Sequence, residues 1–398
     1  MLPCPRLAAL VLAAGLVAAC TAEEGPRATP SPPTSAGPSP GDGGPLDAVA
    51  GEEPLDEEGA YGQISEMTLD ADGEPIVLYA SLEDEPLLVS RRTGDTWDTR
   101  RLTDPPVQEF DASADAADDG TLVVSGFVDG RFSFTRIAPD GTVTTVPLAA
   151  DLGAGDIGFA VPDLSPEGGT MYLGVIDRET QSGVLAVDPA TGVVRAEYRF
   201  PTEAAGLVAP TVVRVAGDRV LVTVDRGVDT SEASSPAART PWLARFDLAL
   251  QPLGEVQLSE SRAHSGYREL DVDAGGTAYI ALAAGLDTPD EEIRVVAVAP
   301  DATAATTVAT FPGERLVNAM AVDDGGTWAY LAGLDNGPDP LQITVTPIDL
   351  LGGEVSEPVL ICEGSSAEGM GITPDGRSLL LTASCRDRDV HPTLVTLR

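Results

Sequence analysis

A hairpin that recurs about every 50 residues constrains the fold of this 398-residue chain more than any other feature. One copy is the stretch from Asn318 to Gly333, in which two apolar runs flank an acidic turn that ends in glycine. Valine and aromatic residues suit a half-buried strand, aspartate and glycine accept turn geometry, and the runs are too short for helices. The stretch therefore predicts two antiparallel strands joined by a tight turn.

Versions of this hairpin can be aligned on the turn glycine, because a turn position that needs a positive φ is a rigid marker. The marker glycines are Gly73, Gly120, Gly169, Gly217, Gly276, Gly326 and Gly376. Their successive intervals are 47, 49, 48, 59, 50 and 50 residues. A period near 50 with several short strands per unit is typical of propeller blades. We therefore expect an all-β fold, a seven-bladed β-propeller of four-stranded blades, over residues 56–398.

The last blade lacks a fourth strand, because the chain ends just after the run from Thr393 to Leu397. An open edge there would be prone to aggregation, and propellers commonly complete the last blade with the other end of the chain. We expect a short run around residues 46–55 to supply the missing strand.

Two segments carry a resemblance to a known family, namely Ile372-Thr-Pro-Asp-Gly376 with the run that follows it, and Asp163 to Leu173. They resemble the hydrophobic-Ser/Thr-Pro-Asp-Gly signature of bacterial WD-repeat-like and YVTN-type propellers. The resemblance covers about residues 60–398 and implies the propeller fold. It leaves the activity open, since that superfamily includes scaffolds, binding proteins and enzymes.

The first 19 residues have the pattern of a secretory signal peptide, with Arg6 before an apolar run of about 11 residues. That run is too short for a transmembrane helix, which needs about 20 residues. It ends in Leu16-Val17-Ala18-Ala19-Cys20, which resembles the bacterial lipobox. The resemblance implies diacylglycerol on Cys20 and a protein anchored to the outer face of the cell membrane. The alternative is a plain signal peptide with a chance cysteine.

Residues 20–55 are rich in Pro, Ser and Gly and have no hydrophobic period, which predicts a disordered linker.

The whole chain has a net charge of −39, with 63 acidic residues against 24 basic residues. Every basic residue is Arg, which excludes mechanisms that require a lysine. A protein with this much negative charge is a poor partner for nucleic acid. We expect a monomer that binds an envelope protein or a small molecule.

Two cysteines remain beyond the signal region and Cys20, namely Cys362 and Cys385. An exported protein favours a disulfide between them, although two buried thiols would also fit the sequence. A pair of cysteines alone is a poor metal site.

The predicted loops between second and third strands all carry acidic residues, which would form a ring of carboxylates on one face. Examples are Glu83 to Glu85, Asp129, Asp225 and Asp290 to Glu292. Such a face would attract Ca²⁺ or a cationic partner. The alternative is that acidic residues simply favour turns in an acidic protein, with no cofactor bound.

A second group of candidate ligand-binding residues lies where first strands begin, at the mouth of the axial channel. It comprises Glu66, Asp111, His264, Tyr267, Glu269, Asn318 and Glu368. The His264, Tyr267 and Glu269 set contains acid and base groups within six residues. No nucleophile and base pair stands out, so we expect a binding or scaffold protein that uses its acidic face. The alternative is a hydrolase or lyase with its active site at the channel mouth.

Overall fold

The computed structural model describes residues 44–55, 62–70, 72–81, 88–94, 96–101, 113–150, 157–177, 181–201, 207–228, 240–260, 269–284, 292–312, 315–335, 341–385 and 391–398. These residues belong to one unit of the chain, Pro40–Arg398, and they form strands and turns. Within these ranges there is no apolar helix of membrane-spanning length.

Within sheets 1, 2, 4 and 5 the strands lie in chain order. Sheet 1 contains β2 (Gly62–Leu69), β3 (Pro75–Ser81), β4 (Leu88–Thr93) and β5 (Thr96–Arg101). Sheet 2 contains β6 (Ser113–Ala116), β7 (Leu122–Val128), β8 (Arg131–Ile137) and β9 (Val143–Pro147). Sheet 3 contains β10 (Ile157–Phe159), β11 (Asp163–Leu164), β12 (Met171–Asp177), β13 (Gly183–Val187) and β14 (Val194–Arg199).

Sheet 4 contains β15 (Leu207–Ala216), β16 (Arg219–Val228), β17 (Thr240–Asp247) and β18 (Pro252–Gln257). Sheet 5 contains β19 (Glu269–Val272), β20 (Ala278–Ala284), β21 (Glu292–Val298) and β22 (Thr306–Pro312). The remaining strands form the long sheet, which contains β23 (Arg315–Val322), β24 (Trp328–Asp335), β25 (Gln342–Asp349), β26 (Val359–Ile372), β27 (Leu379–Cys385), β28 (His391–Leu397) and β1 (Val49–Pro54).

The prediction of seven separate four-stranded blades is wrong. The described strands form five separate blades, sheets 1 to 5, and the long sheet joins seven strands continuously. The reason is the 14-residue strand β26, which pairs with β25 through its first residues and with β27 through its last. Separate blades would require two strands and a loop there, but the backbone is one strand that pairs on both sides with irregular register.

The core lies between neighbouring sheets, where apolar side chains from facing strands pack together. Between sheets 4 and 5, Leu221 and Leu243 contact a group that includes Ile280 and Val296, and all four are at most 3% exposed. Alternation along each strand directs one set of side chains to each neighbouring sheet, so both faces of a sheet are buried. Burial of this apolar surface is the main stabilising contribution to the fold.

The innermost strands surround a central axis. Strands β2, β6, β11, β15, β19, β23 and β26 each contact the next, and β26 contacts β2. Close approach at the last contact depends on Gly369, because a Cβ there would lie 2.6 Å from the backbone nitrogen of Met67. The ring places one edge of each inner strand toward the axial channel.

The prediction that a run around residues 46–55 pairs with the last strand is confirmed. Strand β1 pairs antiparallel with β28, with Glu52 opposite Val395. The backbone N–H of Leu46 donates to the Tyr330 hydroxyl at 3.0 Å, which fixes the chain just before β1. The edge of β28 is therefore covered by a segment from the start of the described chain.

Cys362 and Cys385 form a disulfide with a Cα–Cα distance of 5.8 Å, as expected from the sequence. It links β26 to the end of β27 across a separation of 23 residues. Both residues are buried in the core of the long sheet. The link therefore reinforces the strand that joins the two halves of that sheet.

We expect replacement of both cysteines, Cys362→Ala with Cys385→Ala, to lower the free energy of unfolding by about 3 kcal/mol, because the unfolded chain loses the constraint of a closed loop. Urea unfolding of the oxidised protein measures the change. Wild-type protein treated with dithiothreitol is the control and should unfold at the midpoint of the variant. An unchanged midpoint in the double variant would contradict a stabilising role.

Candidate functional site

Five charged side chains from successive inner strands come together around the axis. This axial cluster consists of Glu66 in β2, Asp115 in β6, Asp163 in β11, Arg214 in β15 and Asp271 in β19. The five side chains converge near the axis, and each keeps some accessible surface although protein surrounds it. Four carboxyl groups and one guanidinium therefore share a confined space.

The carboxylates of the axial cluster contact the backbone of the next inner strand. Glu66 Oε2 accepts from the Ala114 N–H at 2.8 Å, and Asp271 Oδ2 accepts from the Val322 N–H at 2.7 Å. Asp163 Oδ2 accepts from the Val215 N–H in the same way. An inner strand has one edge without a strand partner, and its buried N–H groups need acceptors. The carboxylates supply them and join neighbouring sheets.

Burial is the largest influence on these carboxyl groups and raises the pKa of each. It raises the pKa of Asp163 to about 6, although Arg214 and the Val215 N–H oppose the shift. Burial also raises the pKa of Asp115 well above its ordinary value, and the charges of Asp163 and Glu66 add to this effect. The pKa values of Glu66 and Asp271 rise for the same reason. Removal from water disfavours the charged form of a carboxyl group.

Arg214 supplies the positive charge of the axial cluster. Burial alone would lower its pKa, but the combined charges of Asp163, Asp271, Asp115 and Glu66 outweigh burial and raise it. Its Nη1 donates to the carbonyl of Val213 at 3.2 Å. Arg214 stays protonated and offsets part of the repulsion among the four carboxylates.

One carboxylate oxygen of Asp115 lacks a hydrogen-bond donor among the described residues. Its Oδ2 is buried and has no hydrogen-bond partner among the described residues. The backbone N–H of Leu164 in the next inner strand stabilises the charged form of its carboxyl group. A buried acceptor without a donor is costly, so this oxygen favours a donor from outside the chain. The cluster can therefore accept a hydrogen bond from a cationic group.

The structure brings one predicted site residue, Glu66, into the axial cluster. Glu269 begins β19, and Asn318 lies at a bulge of β23 between Val317 and Ala319. Glu368 belongs to β26, and its side chain lies outside the described residues. Asp111, His264 and Tyr267 also lie outside them.

The predicted ring of acidic loops falls mostly outside the described residues. Of its described members, Asp129 lies in the tight turn between β7 and β8 with a φ of 50°. Glu292 pairs with Arg294, and Asp225 is fully buried within sheet 4. Asp225 therefore does not contribute to a solvent-facing rim. Among the residues that the structure describes, no three His, Cys, Asp or Glu side chains are grouped to hold a metal ion.

Sequence reasoning did not select Asp115, Asp163, Arg214 or Asp271. A positional signal existed, because Asp115 and Asp271 each precede their marker glycine by five residues. Asp163 precedes Gly168 by the same five residues. Gly168, and not the marker Gly169 chosen from the sequence, has the positive φ, at 70°. Arg214 is closer to Gly217 because the turn after β15 is shorter.

Comparisons with known proteins support the fold. No protein-family model and no curated protein matches the chain. Among solved structures, Kuenenia stuttgartiensis hydrazine synthase is 14% identical with a TM-score of 0.59, over 84% of this chain and 95% of that one. Virginiamycin B lyase from Staphylococcus aureus is 10% identical with a TM-score of 0.57, over 87% and 98%. An oligogalacturonate lyase in complex with manganese is 13% identical with a TM-score of 0.51, over 88% and 98%. At these identities the likeness shows the β-propeller fold alone.

The raised pKa of Asp163 predicts a pH-dependent contribution to stability. A carboxyl group whose pKa is higher in the folded state stabilises the fold below its unfolded pKa, and this contribution is lost as pH rises through about 6. In Asp163→Asn the contribution is absent at every pH. We expect the free energy of unfolding of wild type minus that of the variant to fall between about pH 4 and 6, and to level off above.

Chemical denaturation at a series of pH values measures this difference. Asp140→Asn is a matched control, because Asp140 is exposed in a turn and its hydrogen bond with Thr142 lowers its pKa. Its difference should stay flat above about pH 5, since the group titrates below its ordinary pKa. A flat profile for Asp163→Asn would show that this carboxyl group is not buried as described.

Proposed function

We propose that the chain is a lipid-anchored propeller on the outer face of the cell membrane, and that it binds a ligand bearing a cationic group in its axial channel. The unpartnered Oδ2 of Asp115 within the axial cluster carries this proposal. Four carboxyl groups against one guanidinium give the channel an excess of negative charge when ionised. A net charge of −39 on the whole chain would steer cations toward it.

The size of the electrostatic attraction favours a ligand with an ammonium or guanidinium group over a neutral ligand. Two opposite charges about 4 Å apart attract by about 4 kcal/mol at an effective dielectric constant near 20, before the cost of removing water. A neutral donor would satisfy Asp115 Oδ2 but would leave the repulsion among the carboxylates unchanged. A cation reduces that repulsion and favours ionisation of Asp115.

A lyase is the second candidate, favoured by Asp163, whose pKa of about 6 suits proton transfer near neutral pH. Two of the similar structures are lyases, one of virginiamycin B and one of oligogalacturonate. An anionic substrate such as oligogalacturonate would meet repulsion from the four carboxylates of this channel. The charge of the axial cluster therefore favours binding of a cation over turnover of an anionic sugar.

Spermidine, a linear polyamine, is a suitable probe for the channel. We expect Asp115→Asn to weaken spermidine binding about tenfold, or about 1.4 kcal/mol, because the amide cannot become negative. Arg214→Met should strengthen binding by removing the repelling charge. Affinity for wild type should rise from pH 6 to 8, since burial holds the pKa of Asp115 high and the cation binds its ionised form.

Isothermal titration calorimetry at low salt measures these affinities. Asp140→Asn removes one exposed carboxylate that does not belong to the axial cluster, and this variant should bind spermidine as wild type does. If Asp115→Asn and Asp140→Asn lose affinity equally, binding reflects net charge and the channel assignment is wrong. Weaker binding in Arg214→Met would instead indicate that the ligand carries an anionic group as well.

The anchor can be tested separately, because Cys20 lies outside the described residues. We expect Cys20→Ser to release the protein from the membrane fraction and to abolish labelling by a radioactive fatty acid, since serine cannot carry the thioether-linked diacylglycerol. Cys4→Ser is the matched control and should remain anchored. Equal membrane retention of the two variants would exclude lipidation at Cys20.

A further inference from the structure

Two grooves of similar construction lie between neighbouring sheets, away from the axial cluster. The first is a cavity of about 470 Å³ between sheets 4 and 5, bordered by Gly217, Gly276 and Pro300. The second is a cavity of about 510 Å³ between sheets 1 and 2, bordered by Gly120 and Pro139. Both volumes fall in the range of small-molecule sites. Turns at the ends of the sheets border both, so they open at the same edge of the fold.

Each groove contains an arginine from the third strand of its first sheet. Arg245 of β17 donates through Nη1 to the Pro300 carbonyl of sheet 5 at 2.7 Å. Arg91 of β4 donates through Nη1 to the Gly120 carbonyl of sheet 2 at 3.4 Å. The two arginines therefore have similar roles in linking adjacent sheets.

The two arginines differ in whether a carboxylate lies beside the guanidinium group. Arg91 Nη2 lies 2.8 Å from Asp70 Oδ2, and the Asp70 side chain is 6% exposed. Asp70 directly follows β2, and the register of the strands places Ala216 at the equivalent position in sheet 4. Arg245 is 8% exposed. Among the described residues its Nε has no hydrogen-bond partner, and no carboxylate lies at ion-pair distance from it. A buried guanidinium thus remains without a counter-charge.

Arg219 and three carboxylates, those of Asp218, Asp273 and Asp324, also border this groove, and among the described residues none of these carboxylates lies at ion-pair distance from Arg245. Arg219 also donates to the Pro300 carbonyl and pairs with Asp301, whose side chain is 91% exposed. Asp273 accepts from the Thr277 N–H at 2.8 Å and from the Tyr279 hydroxyl at 3.3 Å. The surface pair of Arg219 is weak, whereas a buried charge without a partner is costly. Arg245 is therefore the group that gains most from an anion.

We infer that the groove between sheets 4 and 5 binds a small organic carboxylate. Its carboxylate would accept from Arg245 Nε, and such a charge-assisted hydrogen bond is stronger than one between neutral groups. Val215, Val272 and Ala299 line the groove, so they would contact the apolar part of the ligand. This site is separate from the axial cluster, and it takes a ligand of opposite charge.

Hexanoate is the probe, observed by ligand-detected NMR on the full chain, with 1-hexanol and inorganic phosphate as comparison ligands. We expect hexanoate to bind at least tenfold more tightly than either comparison ligand, because the site offers both a charge and an apolar wall. Ala216→Asp supplies the carboxylate that Asp70 provides in sheet 1, and it should weaken hexanoate binding at least tenfold. Arg245→Met should have the same effect by removing the guanidinium.

Arg91→Met is the matched control and should leave hexanoate affinity unchanged, because Asp70 already compensates Arg91. Retained hexanoate affinity in Ala216→Asp would overturn the inference even if Arg245→Met fails to fold. Equal affinity for phosphate and hexanoate would show an adventitious anion only, and would overturn it as well.

Discussion

The hydrogen bond from an inner-strand N–H to a carboxylate of the preceding sheet is the interaction on which the centre of this fold depends. Inner strands crowd around the axis, and their free edges cannot all pair with one another. Glu66, Asp163 and Asp271 satisfy N–H groups on the neighbouring strand and so join adjacent sheets at the axis. A hydroxyl group would accept more weakly, because hydrogen bonds to charged acceptors are stronger.

This solution concentrates negative charge in a confined space. Burial of these charges is unfavourable and raises the pKa values of the carboxyl groups, and the positive charge of Arg214 offsets part of that rise. Under the proposed function, structural and binding roles overlap in the axial cluster, since the charges that join the sheets are also the ones that would attract a cation. Asp115 differs from the others, because one of its oxygens is left without a partner. At Arg245 the imbalance is local and reversed, because among the described residues no carboxylate lies at ion-pair distance from this buried guanidinium.

The sequence predicted the strands, the glycine turns, the disulfide and the strand that covers β28, because each depends on local patterns or on a spacing visible in the chain. The separate blades of the last hundred residues were predicted wrongly. Separate blades would end one strand and begin another within residues 359–372, yet this segment is one strand, and Gly364 and Gly369 within it permit close approach of neighbouring strands. Tertiary contact rather than local propensity keeps β26 extended.

The candidate site was predicted less well than the fold. Glu66 was selected from its repeat position, but Asp115 and Asp271 were treated as parts of hairpins. Whether such a carboxylate faces the channel or solvent depends on the register of its strand, and a shift of one residue reverses that direction. The alignment on Gly169 instead of Gly168 displaced Asp163 by one residue from the equivalent positions of Asp115 and Asp271. The missing counter-charge of Arg245 depends on contacts between sheets, which one sequence does not reveal.

Site-resolved carbon NMR of the aspartate carboxyl groups, titrated with and without spermidine, tests the central claim most directly. The account predicts that Asp163 titrates near pH 6, that Asp115 titrates well above its ordinary pKa, and that spermidine lowers the pKa of Asp115. Titration of both groups at ordinary aspartate pKa values, with no response to spermidine, would contradict a buried axial cluster that receives a cation.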